Sequence, residues 1–378
     1  MESAELTHIG RLLEKAYTPE EIFGDLQGSS TEKLAAARKV FLHIAKAVHP
    51  DAHPGADEAT QASVSFKKLT VLWEQAQARI GHGTYGSKDA AEAFVPFHIQ
   101  TASGQYTLER LLTHGDLCNL YVGTTIDTEG KKQILLKVPI YPQDNDLVAN
   151  EARILKHLQA GTNAQAARHF VSQLVDAFAY EEHATGILRR LTVLSYVEGL
   201  FSLKEVKAAY PHGIDARDMA WIWRRVLIAL DFAHTNKVIH GSVLPVHILI
   251  HPEQHGVVLI DWSYSVLDPA ATHTWISAIS SDYRAWYPTE VFARQEPQPG
   301  LDISMAASCM IDVLGGDPQQ RSMPASVPWQ IQSHLQGCTL PRPHQRPQDA
   351  RILLQEFDEL LARLWGPRKF HVFSMPGR

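Results

Sequence analysis

Between residues 30 and 80, apolar side chains recur twice at alternating spacings of three and four, and the two runs are interrupted once by proline. The first run is Leu34, Ala37, Phe41, Ile44 and Val48; the second is Phe66, Leu69, Trp73, Ala76 and Ile80. Each spacing puts one apolar stripe on one face of a helix. Ser29 and Glu32 form the S-x-x-E capping signature at the start of the first run. Pro50 ends it, because the ring removes a backbone donor and pushes the preceding residue out of helical conformation. His49-Pro50-Asp51 is therefore expected at a loop tip, with Pro54-Gly55 and a cap at Asp57 before the second helix. Two seams of equal period joined by a short loop predict an antiparallel helical hairpin. Thr18, Pro19 and Glu21 make a second capping signature, with Thr18 as N-cap of a short helix running through Ile22 and Phe23 to Gly24.

The hairpin uses only part of a 378-residue chain that is 45% hydrophobic, enough for a second core. Net charge is −6, so no domain-wide basic field holds a phosphate backbone, and nucleic acid is excluded as a main partner. Cys118, Cys309 and Cys338 lie far apart and are odd in number, which fits a reducing cytoplasm better than a disulfide framework. The first residues lack a basic stretch followed by an apolar one, and no segment approaches the roughly 18 apolar residues of a spanning helix. The reading is a soluble, unprocessed protein with no membrane partner. The 20 histidines are scattered and share no metal-ligand spacing such as H-E-x-x-H.

Gly81-His82-Gly83-Thr84-Tyr85-Gly86-Ser87 is glycine-dense and polar, which places a linker there. Val95, Phe97 and Ile99 alternate as a leading strand within Phe94–Ile99. Leu120-Tyr121-Val122 and Ile134–Val138 are the clearest strands beyond it. Residues Trp221–Leu230 form a buried helix, followed by strands at Val246–Ile250 and Val257–Ile260. Ile352, Leu353, Phe357, Leu360, Leu361 and Leu364 mark a last amphipathic helix, and the tail beyond it is expected to dock on the fold.

A short helix, then two helices joined by His-Pro-Asp, then Ser65-Phe66-Lys67-Lys68-Leu69, resembles the J-domain of DnaJ-like co-chaperones over about residues 17–80. The resemblance implies that His49, Pro50 and Asp51 engage a DnaK-type chaperone ATPase, with basic residues of the preceding helix meeting its acidic surface. Arg38, Lys39 and Lys46 carry that basic character here, while Leu42 and His43 replace the charges closest to the loop. Reduced charge predicts slower, less salt-sensitive association or a specialised chaperone.

Residues 105–366 resemble the protein-kinase fold through collinear local motifs. Lys137 in Leu-Leu-Lys-Val matches the strand lysine that pairs with nucleotide phosphates, and Glu151 in Asn-Glu-Ala-Arg matches its helix partner. Tyr196-Val197-Glu198-Gly199 corresponds to the hinge, His240-Gly241-Ser242 with His247 to the H-R-D-x-x-x-x-N loop, Asp261-Trp262-Ser263 to D-F-G, and Pro288-Thr289-Glu290 to A-P-E. Asp302 and Arg346 match two structural anchors of the helical lobe. The resemblance implies ATP with magnesium, held by Gly115, Lys137, Glu151 and Asp261, the last as a metal ligand. The chemistry is incomplete. Ser242 stands where the base would be, so general-base help of about 100- to 10,000-fold is missing. His247 replaces a magnesium ligand although magnesium prefers oxygen. Of the phosphate loop only Gly115 remains, with Asp116 adding negative charge. Lys137 with Glu151 reads equally as a structural ion pair, Asp261 as a turn aspartate and His240 as a packing residue. A serine nucleophile at 242 finds no Asp-His relay in the spacing, although His247 is near.

The resulting assignment is a multidomain α+β chain: a J-domain at 1–80, a linker at 81–104, a two-lobed kinase-like domain at 105–366 and a tail at 367–378. Its expected role is a cytoplasmic adaptor in which the first domain recruits a DnaK-type chaperone to an unknown protein client held by a catalytically silent kinase fold. The alternatives are a noncanonical protein kinase or nucleotidyl transferase using Lys137 and Asp261, and a hairpin that docks without stimulating any ATPase.

Overall fold

The computed structural model describes residues 6, 9–13, 16, 18–53, 56–81, 83, 85–86, 97–101, 104–127, 130–181, 188–370 and 372–376. Pro54, Gly55, the Asp57 side chain, His82, Thr84, Ser87 and residues 94–96, all given roles above, lie outside them. The chain divides into two compact units, Met1–Val95 and Pro96–Arg378.

In the first unit, α1 (Glu20–Phe23), α2 (Ser30–Val48) and α3 (Ala56–Gly81) pack around one core. Helix α2 opens with the Ser29/Glu32 capping box fully formed and closes at His49, whose backbone turns extended ahead of Pro50. The Thr18 cap does not form. Helix α1 begins at Glu20 with Pro19 in the cap position, which has no side-chain oxygen to offer. Ala37 and Val48 from α2 meet Leu69, Ala76 and Ile80 from α3, and Phe41 stacks on Trp73 with centroids 5.1 Å apart. Leu34 remains exposed. Arg79 pairs with Glu20 at 2.6 Å, and the Tyr85 hydroxyl donates to the Gly24 carbonyl at 2.8 Å, tying the end of α3 to α1. The His-Pro-Asp tip is a single turn of 3-10 helix over Pro50–Ala52. There the His49 ring lies edge-on to Phe66 and its Nδ1 accepts from the Asp51 amide, while the Asp51 carboxylate stands in solvent. Arg38, Lys39, Leu42, His43 and Lys46 form an exposed face of α2.

The second unit starts with an antiparallel six-stranded sheet in the order β1-β2-β3-β4-β6-β5: β1 Phe97–Gln100, β2 Gln105–His114, β3 Cys118–Asp127, β4 Gly130–Pro139, β5 Leu174–Glu181 and β6 Leu188–Ser195. Helix α4 (Asn145–Gln159) crosses it, burying Val148, Glu151, Ile154, Leu155 and Leu158 on one side. A carboxylate thus sits inside an apolar seam and is carried inward by it. The helical lobe follows, built on α5 (Ala216–Thr235), α6 (Pro299–Val313), α7 (Trp329–Cys338) and α8 (Ala350–Trp365) around a continuous core that includes Trp223, Trp262 and Phe357. The strand expected from Val246 starts only at Ile248, since His247 closes a turn onto the Leu244 carbonyl. After α8 the chain returns to the lobe: Phe373 is buried beside Tyr210 and Trp221, and His255 stacks between Trp221 and Phe370. No helix among the described residues is long and apolar enough to cross a membrane.

Candidate functional site

Lys137 on β4 and Glu151 on α4 meet at the junction of the lobes. The Lys137 ammonium lies 2.8 Å from Glu151 Oε2 and 2.9 Å from Asp261 Oδ1. The second Glu151 oxygen accepts from the Trp262 amide at 3.2 Å. Asp261, in left-handed backbone conformation, begins the short turn that holds Trp262 and Ser263. Its Oδ1 also accepts from the Ser263 hydroxyl at 2.8 Å, and its Oδ2 lies 3.1 Å from His247 Nε2. Burial alone would discharge Lys137, but Asp261 and Glu151 outweigh it and keep the ammonium protonated. Burial likewise opposes charge on Asp261, yet Lys137 and His247 hold its carboxyl well below the usual carboxylate range. Glu151, fully enclosed, is shifted up by that burial.

His247 is the second cation. Its Nδ1 lies 2.7 Å from the Ser242 carbonyl oxygen, and Nε2 faces the Asp261 carboxylate. Both partners only accept, so both ring nitrogens carry hydrogen and the ring is imidazolium. Burial works against that charge, but Asp261 raises the pKa above the ordinary histidine value. His240 behaves oppositely. Its Nε2 donates to the Ile260 carbonyl, its Nδ1 accepts from the Ser242 amide, and burial lowers its pKa to about 4. It is a neutral packing residue.

Ser242 is completely buried. Its hydroxyl is 2.8 Å from the Tyr287 hydroxyl and 3.4 Å from His247 Nδ1. An Asp261-His247-Ser242 line that spacing could not reveal is therefore present. It cannot activate the serine, because Nδ1 spends its hydrogen on the carbonyl oxygen and has no lone pair for the hydroxyl proton. Gly241 has φ 76°, and its amide and that of His240 both donate at 2.8 Å to the buried Asp302. Arg346 and Glu290 form a buried ion pair.

Gly115 sits in the β2–β3 turn, where an added Cβ would come within 2.7 Å of the Cys118 carbonyl oxygen. Asp116 beside it accepts from the Ser280 hydroxyl at 2.6 Å, joining the turn to the segment that follows Asp261. Ser280 in turn donates its amide to the Tyr287 hydroxyl at 3.1 Å. Ser280 and Tyr287 were missed in the sequence, and Ser263 was read there only as the third residue of the D-F-G match. The only hints were the serine in Asp-Trp-Ser and the tyrosine just before Pro288. Asn150, next to Glu151, also contributes by donating to the carbonyls of Ser263 and Ser265 at 2.9 Å each.

No protein-family model matches the chain. It is similar to dual specificity tyrosine-phosphorylation-regulated kinase 3 of Mus musculus, with 24% identity over 285 residues, covering 68% of this chain and 46% of the relative. Serine/threonine-protein kinase PknF of Mycobacterium tuberculosis is 27% identical over 150 residues, or 38% of this chain and 30% of the relative. The chain thus spans less than half the length of these curated relatives. Among solved structures, the Mycobacterium tuberculosis PknI kinase domain superposes with a TM-score of 0.51 at 16% identity, covering 69% of this chain and 99% of that chain. The fold is protein-kinase-like and two-lobed.

That fold implies ATP and magnesium. Lys137 fits the nucleotide half of the requirement by position. Asp261 does not fit the metal half, because protein donors occupy both of its oxygens and two cations flank it. Among the described residues, no three His, Cys, Asp or Glu side chains converge as a metal site.

Proposed function

We propose that the second unit is a kinase-fold binding domain that does not transfer phosphoryl groups, and that the first is a J-type hairpin recruiting a DnaK-type chaperone to whatever protein client the second unit holds. The observation that carries the silent reading is Ser242: it stands at the base position, fully enclosed, with its hydroxyl engaged by Tyr287. A hydroxyl there neither accepts a proton at neutral pH nor reaches a substrate alcohol. Support for the hairpin's role is the tip geometry, with His49 anchored on Phe66 and the Asp51 carboxylate free to accept an arginine from a partner. Arg38, Lys39 and Lys46 on the exposed face of α2 supply charge for an acidic chaperone surface. The setting proposed is cytoplasmic, consistent with three free, buried cysteines.

The second reading is a noncanonical protein kinase or nucleotidyl transferase using Lys137 and Asp261. The relatives favour it, since all those named above are kinases, and none of them bears on the co-chaperone half. Two assays separate the readings. Radiolabel transfer from ATP to the protein or to several acceptors, abolished by Lys137→Ala or Asp261→Ala, establishes the transferase. Single-turnover ATP hydrolysis by DnaK-type chaperones, stimulated by wild type and not by His49→Gln, establishes the co-chaperone. If Asp51→Asn leaves hydrolysis unchanged, the hairpin is a dock only.

A further inference from the structure

Asp261 is already enclosed by donors of the chain itself. Lys137 bridges Glu151 and Asp261, and His247 Nε2 faces the second Asp261 oxygen. Magnesium in this fold binds through a carboxylate oxygen that is free to approach within about 2.1 Å, alongside further oxygen ligands in near-octahedral array. Asp261 Oδ1 is shared between the Lys137 ammonium at 2.9 Å and the Ser263 hydroxyl at 2.8 Å, and Oδ2 is bonded to His247 Nε2 at 3.1 Å. A divalent ion joining that carboxylate would lie beside the Lys137 ammonium in an enclosed site. The other nearby oxygens have partners as well. The Ser242 carbonyl faces His247 Nδ1, Asp116 Oδ2 accepts from Ser280, and Glu151 is bonded to Lys137 and to the Trp262 amide. In a position where the fold ordinarily supplies an oxygen ligand, this chain supplies a ring whose two nitrogens both donate.

We infer that His247 takes the place of the metal by holding Asp261 through its Nε2 hydrogen, so that the cleft admits no magnesium or manganese. The inference rests on the kinase-like reading of the cleft. It is tested apart from the function proposed above, because metal uptake is read with no nucleotide or acceptor present. The full chain is titrated at neutral pH with MnCl2, following the free-ion electron spin resonance signal, and its thermal unfolding is recorded with and without MgCl2. Wild type leaves the manganese signal as it is in buffer and melts at the same temperature in both conditions. His247→Asn removes the ring donor and offers an amide oxygen. It depletes the free manganese signal, and a site half-filled at a tenth of the added magnesium raises its melting temperature by roughly 3–6 °C. His247→Gln serves the same purpose should the asparagine variant fail to fold. Manganese uptake by wild type overturns the inference. Folded variants that take up no metal overturn it too, because Asp261 would then be closed by Lys137 and Ser263 without help from His247. A chain that transfers phosphate yet takes up no manganese refutes the silent reading and leaves this one standing.

Discussion

Replacing Lys137 by methionine tests whether the buried cluster holds the fold together or waits for a nucleotide. The lysine side chain is 7% exposed and contacts one carboxylate with no exposure at all and another that is 12% exposed. Without the ammonium, Glu151 keeps only the Trp262 amide, while Asp261 keeps His247 and the Ser263 hydroxyl. Removing one partner of a buried pair leaves an uncompensated charge and costs about 3–5 kcal/mol. For a unit of this size that corresponds to a fall in melting temperature of roughly 6–20 °C. Adding Glu151→Gln removes the stranded charge and returns about 1–3 kcal/mol as coupling. Urea unfolding followed by tryptophan fluorescence reads both variants, with Trp262 next to the cluster as a local reporter. A Lys137→Met variant that loses less than about 1 kcal/mol would refute this account and return the lysine to a purely ligand-binding role.

Acidification probes another buried group. His334 accepts a hydrogen bond from the Trp223 indole at 3.0 Å, and burial lowers its pKa to about 4. The unfolded chain takes a proton near pH 6.5 that the folded chain refuses until about 4, so stability is full above 6.5 and falls as pH drops through that window. The stability difference between wild type and His334→Gln should shrink by about 3 kcal/mol over the window; a pH-independent difference would contradict the assignment. Ser29→Ala should cost the first unit about 1 kcal/mol by removing the capping box of α2, measured as its urea midpoint, with no change meaning the cap is dispensable. Asp302→Asn places a donor amide against the backbone amides of His240 and Gly241 and should destabilise the second unit by about 1.5–3 kcal/mol, leaving the hairpin unit's transition in place.

Period and position carried much of this architecture. The α2 and α3 seams and the strand bearing Lys137 depend on residues within a few turns of one another, and local spacing encodes that directly; Glu151 was reached only through the motif around it. What escaped depends on segments meeting in space. Asp116 and Ser280 are 164 residues apart, and Ser242 and Tyr287 are 45 apart. No periodicity joins such pairs. The contact of His247 with Asp261 was hidden for the same reason. The failed cap at Thr18 is a different kind of miss: the signature was present, but Pro19 occupied the position where the side-chain oxygen was needed.

Gly241 sits at φ 76°, and a Cβ placed there would come 3.0 Å from both the Ile276 side chain and the Tyr264 carbonyl oxygen. Ile276 is itself buried, so the volume that a longer side chain would need is already filled by another part of the chain. An arginine at position 241 would therefore need the chain around Ile276 to be redesigned with it. Position 241 is thus shaped around the absence of a side chain, and a single substitution there meets backbone and core at once.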